Sequence, residues 1–403
     1  MTRHHAAFRT LAFSAVLLAF PINAAFAQDV TSIADRLKAL VVKQGLDIGW
    51  SNISGDASSM VLEGVTLKAM GESDALPVGN VTLTGVTDRN GGFHVDTLST
   101  SPFSLNEQGL AVDISPIIFK GLSLPAENAA DAMSSLMMYE SAAVDGLSVK
   151  MAGKTVFEMQ KAFGQMTPLD GSNPMAFSGG VEKFSTDLSL IEDPSVKGYI
   201  QALGYSQLDG DIKMTGSWQP TDGRWNMSQY DITINDVGTL GMTIDLGGLT
   251  PEFLKAANEI STKLTEAPAG SDTSAEQAKL MAMLSDATFN GASLRFGDDS
   301  LTSRVINLFA TVQGAQPADV VNMAKGMVPF ALMQAQLADL AGDITPAINA
   351  YLDNPDSIEI IASPPKPVSF AEIGAVSMAN PQDSTATAKA LWSLLGIQVK
   401  ANQ

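Results

Sequence analysis

Few side chains in this chain could do chemistry, and histidine is the first to count. The 403 residues include three histidines and no cysteine. His4 and His5 sit in the first few residues, so His94 is the only imidazole in the rest of the chain. A two-histidine zinc site is then impossible there, and a Ser-His-Asp triad would have to use His94. In "NGGFHVDTLST", however, His94 follows a Gly-Gly turn and opens an alternating stretch, which predicts a partly exposed strand histidine. The lack of cysteine removes thiol nucleophiles, thiolate metal sites and redox pairs. Asp298 and Asp299 in "FGDDSLTS" could offer paired carboxylates to a cation. An oxygen cage needs about 6–8 ligands, and no D-x-D-x-D-G loop surrounds them. They precede a helical pattern, so Asp299 or Ser300 reads as a helix N-cap. Methionine is abundant at 19 residues, with pairs at helical spacing in Met133/Met137 and Met323/Met327. Thioethers are soft ligands for Cu(I) or a pliable lining for an acyl chain, but adaptable core packing is the plainer expectation. Trp218 and Trp225 flank "PTDG" and either pack across a hairpin or form a platform. No G-x-S-x-G, Walker or G-x-G-x-x-G pattern stands in a strand-to-helix context. The expectation is a protein that is not an enzyme and has no cofactor.

The first residues suggest where the chain goes. Arg3 and Arg9 make a basic segment, residues 11–20 an apolar one, and Ala25-Phe26-Ala27 an A-x-A cleavage signal before Gln28. That order predicts a secretory signal peptide over residues 1–27 and a periplasmic mature protein. The apolar run is shorter than the roughly 20 residues a spanning helix needs, and no later stretch is apolar enough either. No transmembrane segment is therefore expected in the mature chain. Without Arg3 and Arg9, 22 basic residues face 43 acidic ones, a balance of −21. Such a charge is unsuited to nucleic acid or to an anionic membrane surface, whose phosphates need Lys and Arg.

The elements that must position any site follow from a recurring phrase, polar-Gly-apolar-Ser/Thr-apolar. It appears as "EGVTLKA", "TGVT", "KGLSLPA", "DGLSVKM" and "NGASLRF". Val65, Leu67 and Ala69 fall on one face of an extended chain, and Leu147, Val149 and Met151 do the same, while Thr66, Lys68, Ser148 and Lys150 fall on the other. The leading glycines Gly64, Gly121, Gly146 and Gly291 fit bends or bulges. Asp222-Gly223 marks a hairpin tip. Helices are predicted where Ile33, Leu37, Leu40 and Val41 form a stripe ending at Gly45, after Asp193-Pro194, and after Thr250-Pro251. Residues 266–277, "EAPAGSDTSAEQ", read as a linker or long loop. Beyond them the pattern is mostly helical, with Pro329 a kink or break. The expected layout is residues 1–27 as signal peptide, 28–265 as a helix plus sheet region, the linker, and 278–403 as a helix-rich region that also lends strands. The fold class is α+β, an extended, strongly twisted antiparallel sheet curled around helices, with a helix-rich C-terminal third.

The stretches "LEGVTLKA", "DGLSVKM", "INDVGTLGMTIDLGGL" and "SLTSRVINLFATVQG", with "LDNPDSIEIIASPPKPV", resemble the AsmA-like proteins of Gram-negative envelopes, and more closely the YdgA-type exported proteins. The resemblance implies an envelope role and contact with lipid along a half-open sheet. Unlike AsmA itself, this chain is much shorter and has no retained anchor. The functional expectation is a non-enzymatic envelope protein that binds a lipid, another apolar ligand or a protein partner. The alternatives are a structural or assembly factor and, last, an unrecognised hydrolase. The expected groove lining is Val65, Leu67, Val81, Leu83, Leu147, Val149 and Met151.

Overall fold

The structure is a computed structural model that describes residues 30–403 apart from 43–44, 71, 73, 128–136, 168–172, 192, 269–270 and 380–381. The expected signal peptide and Met133 lie outside the described residues. The fold is α+β, as expected, with a twisted, unclosed sheet whose described pairings are all antiparallel. Among the described residues there are nine α-helices, seven of them beyond Leu249. The chain divides into two compact units. One is Met1–Pro168 with Phe177–Glu182, and the other is Leu169–Ala176 with Lys183–Gln403.

The first unit opens with helix α1 (Val30–Val42), which buries Ile33, Ala34, Leu37 and Leu40 and packs on the two strands that follow. Its strands are β1 (Leu46–Gly49), β2 (Asn52–Asp56), β3 (Ser59–Ala69), β4 (Leu76–Arg89), β5 (Gly92–Thr100), β6 (Phe103–Glu107), β7 (Leu110–Ile114), β8 (Ile117–Leu124), β9 (Ser141–Met151) and β10 (Lys154–Met166). β1 and β2 pair with successive stretches of β3, and the ladder continues through β4, β5, β8, β9 and β10. β6 and β7 form a hairpin, and β7 pairs with β9 beside β8.

This geometry explains the recurring phrase. In β3 the buried residues are Met60 and Leu62, then Val65 and Leu67, so the inward positions change from even to odd. The change falls at Glu63-Gly64, where the β3–β4 register shifts and Gly64 has φ +60°. An extra residue in one strand would otherwise turn every later apolar side chain to the wrong face. The same skip occurs from Leu83 to Val86 around Gly85, from Val95 to Leu98 around Asp96, and from Phe119 to Leu122 around Gly121. Gly85, Asp96 and Gly121 lie side by side across β4, β5 and β8. The polar-Gly pair is thus a hinge that keeps a long kinked strand apolar on one face.

The second unit contains most of β11 (Met175–Asp187), whose residues 177–182 belong to the first. Then come α2 (Pro194–Leu203), β12 (Gln207–Gln219), β13 (Arg224–Ile234), β14 (Gly238–Gly247), α3 (Pro251–Glu266), α4 (Ser274–Leu284), β15 (Thr288–Asp298), α5 (Leu301–Gln313), α6 (Pro317–Gln334) and α7 (Ala341–Asp353). The chain ends with β16 (Ser357–Ala362), β17 (Val368–Ser369), α8 (Phe370–Ala379), α9 (Ser384–Leu395) and β18 (Ile397–Ala401). The sheet order here is β12-β13-β14-β15-β16-β18, with β17 beside β16 on β15. Residues 266–277 lie within this unit and run from the last residue of α3 into the first turn of α4. The pairing of β14 with β15 carries the sheet across them.

Local signals shape several ends. Thr250 Oγ1 accepts the Phe253 N–H at 3.2 Å and Pro251 follows, as expected of a cap. Asp193 accepts the Val196 N–H at 3.2 Å in the same way. At α5 the N-cap residue is Ser300, one of the two expected, but its side chain makes no cap bond. Both Asp298 oxygens accept the Thr302 N–H, at 3.2 and 3.1 Å, because the strand holds Asp298 against the first turn. Ser300 Oγ instead donates to the Asp236 carbonyl and lies 2.9 Å from the Tyr205 hydroxyl. Pro329 does not break α6, which runs on for five more residues to Gln334.

Candidate apolar ligand face

The seven residues expected to line a groove all belong to the first unit, and six of them are core. Val65, Leu67, Val81, Leu83, Leu147 and Val149 are each buried, and Leu83 is fully so. Leu147 and Val149 join Val112 in a cluster closed by Phe103, Leu105, Ile114, Phe157 and Met159. Met151 alone stands out, at the end of β9 and half exposed. The alternation along these strands is present, with Thr66, Lys68, Ser148 and Lys150 on the outer side. A cleft of about 50 Å³ bounded by Leu67, Leu76, Phe103, Ile114 and Ile117 is far below the roughly 300–1,000 Å³ of a ligand pocket.

The second unit presents the opposite case. Residues opposed in an antiparallel ladder share a face. The registers therefore align Met214, Tyr230, Met242, Leu294, Ile360 and Val399 in one row across six strands. Ile212, Ile232, Leu240, Phe296, Ile358 and Ala401 form the next row on the same face. The reverse face carries Lys213, Asp231, Arg295, Glu359 and Lys400. The sheet is thus strongly two-sided, yet the apolar side is only partly covered. At one end Val399 lies against Val328, Leu332, Leu340 and Ile344, with Ile348 and Trp392 alongside, under α6, α7 and α9. In the middle the cover stops, and Leu240 is 44%, Met242 37%, Leu294 45% and Ile360 48% exposed. With strands about 4.8 Å apart, the open floor spans roughly 10 Å across three strands.

Its flank is tied down by polar contacts. Trp218 and Trp225 face each other across the hairpin, as expected. Trp218 is buried and its indole N–H donates to the Leu249 carbonyl at 2.8 Å, so it packs and does not form a platform. On the reverse face Arg224 holds Asp245 through two hydrogen bonds of 3.2 and 2.6 Å, and Asn290 adds a third at 2.9 Å. Burial alone would raise the Asp245 pKa. The bonds from Arg224 and Asn290 and the guanidinium charge outweigh it, and the carboxyl sits below its ordinary value.

Other residues singled out by type are placed as follows. His94 Nε2 lies 3.4 Å from Asp96 on the outer side of β5, where Asp96 is 69% exposed. It faces Thr87 and Ser123 across the ladder and is partly exposed, as its place in the strand predicts. Met323 and Met327 are on the surface of α6, not in the core. Among the described residues no group of three or more His, Asp or Glu is placed to hold a metal. No described helix is long and apolar enough to cross a membrane. A surface hollow of about 660 Å³ beside α9 has its charged groups engaged. There Asp383 caps the helix at Ala386, and Lys389 pairs with Asp339 at 3.2 Å.

Residues 231–402 match a protein family described as "Uncharacterized protein". That stretch runs from β13 to β18 and contains Leu240, Met242, Leu294 and Ile360, and with them the open floor. No curated protein matches the chain.

Proposed function

We propose that this chain is an exported, non-enzymatic protein of the cell envelope that binds a lipid or similar apolar ligand along the open sheet face of its second unit. The observation that carries the reading is the row Met242, Leu294 and Ile360, three apolar side chains directly paired across three strands and each more than a third exposed. Water covers such a row at a cost of about 25 cal/mol for each Å² left wet, which an acyl chain would remove. The covered end at Val399 and the open centre give a ligand a wall and a floor. A floor roughly 10 Å wide suits one or two acyl chains lying flat. The basic, apolar and A-x-A segments of residues 1–27 support export, and a periplasmic location follows from that reading. The ligand is thereby assigned to a different face from the one the alternating phrase first suggested.

Native mass spectrometry of protein purified from its own host, followed by organic extraction, tests this. A bound acyl-bearing molecule is expected in the wild type and should be lost in Leu294→Asp, whose melting temperature should be close to that of wild type stripped of its ligand. A wild type that carries nothing would sink the proposal. It would leave a structural or assembly role, which the filled core of the first unit favours.

A further inference from the structure

Among the exposed residues of the sheet floor, Met242 is the one that carries sulfur. The inward residues of β14 are Leu240, Met242, Ile244 and Leu246, and Met242 is paired with Tyr230 on one side and Leu294 on the other. From β14 to β18 its row reads Met242, Leu294, Ile360 and Val399, so hydrocarbon follows the thioether in every strand. At 37% exposed, Met242 is open to small solutes. Two other methionines that the registers place on this face are better covered. Met227 is 7% exposed and Met214 is partly buried. The chain has no cysteine, so a thioether is the only side-chain sulfur an oxidant can meet.

We propose that Met242 is an oxidation site through which a peroxide releases the apolar ligand from the floor. The inference rests on the reading of this floor as a ligand site. With hydrogen peroxide, the sulfur lone pair attacks the distal oxygen. An S–O bond forms, the O–O bond breaks, and the other oxygen leaves as water with both protons. Sulfur is oxidised by two electrons and the peroxide is reduced by the same two. The sulfoxide is polar and chiral where the thioether was apolar. Its oxygen accepts hydrogen bonds, and toward the floor Leu294 and Ile360 offer it no donor. Water therefore stays with it, and an acyl chain laid along the row would have to strip that water without replacing the bond. The fold itself is spared, because the group already faces solvent in part.

Treatment with hydrogen peroxide, stopped by catalase, tests it through peptide mass mapping and titration with dansyl-labelled undecanoic acid. Untreated wild type should bind the probe. After treatment Met242 should carry an added oxygen, as should Met281 and Met378, which are more than half exposed on helices, while Met60 and Met227 stay unmodified. Affinity for the probe should fall at least about fivefold. Met242→Leu keeps the row apolar, so it should bind like wild type and hold that affinity through the same treatment. An unmodified Met242 beside oxidised Met281 and Met378, an oxidised wild type that binds as before, or a Met242→Leu variant that loses affinity on treatment would each overturn the proposal. In those three results the untreated protein still binds, so the floor remains a ligand site. An untreated wild type that does not bind the probe removes the ligand site itself, and this inference with it.

Discussion

Leu83 and Leu294 occupy the same kind of position, an inward residue of a central strand in an antiparallel ladder flanked by apolar partners. Leu83 pairs with Met60 and Leu98 and is 0% exposed, whereas Leu294 pairs with Met242 and Ile360 and is 45% exposed. Their strands follow the same alternation, and the difference lies in what lies over them. In the first unit the apolar face is closed, around α1 near β1 and around side chains of the β6–β7 hairpin near β9. In the second, the helices reach β16 and β18 and leave the centre of the face uncovered. Period-2 patterning thus reports which side of a strand is apolar, and coverage is a separate, non-local property.

The largest test of that contrast is cavity formation. Leu83→Ala should destabilise the protein by about 2–5 kcal/mol, because a fully enclosed side chain leaves a void that its neighbours fill only in part. Urea unfolding followed by circular dichroism measures it, and a loss below about 1 kcal/mol would mean the first unit's face is as open as the second's.

A smaller effect is expected at the hinges that let the first unit close. Gly85 has φ +63°, and a Cβ there would lie 2.1 Å from Asp96 Oδ2. Gly85→Ala should cost about 1–3 kcal/mol from left-handed backbone strain together with the displaced carboxylate. Pairing it with Asp96→Ala removes the overlap with the carboxylate but keeps that with the residue 96 Cβ at 2.8 Å, so it should recover part of the steric cost and leave the backbone cost. No recovery at all would place the whole cost in the backbone and the Cβ contact.

Much of this is readable from sequence where the cause is local. The caps at Thr250 and Asp193, the Asp222-Gly223 tip with its facing tryptophans and the polar-Gly hinges all depend on a few neighbouring residues. The alternation at Val65, Leu67, Val81, Leu83, Leu147 and Val149 is the cleanest in the chain, and it points to a groove there. Clean alternation is also what a filled core needs, so the signal does not separate the two uses. Burial of Leu147 depends on Phe103 and Leu105, some forty residues away on a hairpin, and no local pattern carries that. Met323 and Met327 look like core spacing for the same reason, and only the placement of Val328 and Leu332 turns them outward. The compositional break at 266–277 covers the join between α3 and α4, and residues 274–277 are already helix. It does not mark the division between units because β15 pairs back across it.

The reverse face of the second unit gives a third test, through pH. Asp245 has a pKa held below its ordinary value in the folded protein. Its contribution is therefore complete above the unfolded carboxylate pKa, near 4, and is lost as pH falls through the lower folded value. Arg224 is more than half exposed, so the pair should be worth about 1 kcal/mol or less. The stability difference between wild type and Asp245→Asn should be level from about pH 5 to 7 and shrink below about pH 4. A difference that grows on acidification would mean the carboxyl is raised, with burial outweighing Arg224 and Asn290.

The smallest effect is the most telling, because it repeats the first substitution on the other face. Leu294→Ala removes the same atoms as Leu83→Ala. Leu294 is already 45% exposed, so about half of its transfer energy was never gained on folding. No enclosed void forms either, since water or ligand reaches the site, and the cavity contribution disappears. The expected loss is under about 1 kcal/mol in protein stripped of ligand by organic extraction and refolding. If a ligand occupies the floor, unstripped wild type should gain stability in proportion to the logarithm of the ligand concentration over its Kd. Leu294→Ala should lose part of that gain, so its penalty should be larger before stripping than after. Measuring both proteins in both states therefore gives four melting curves and one decision. A penalty that is equal with and without stripping, and close to that of Leu83→Ala, would show that the second unit's face is closed in solution and would remove the contrast between the two units. A penalty that is small in both states would keep the contrast and take away the ligand.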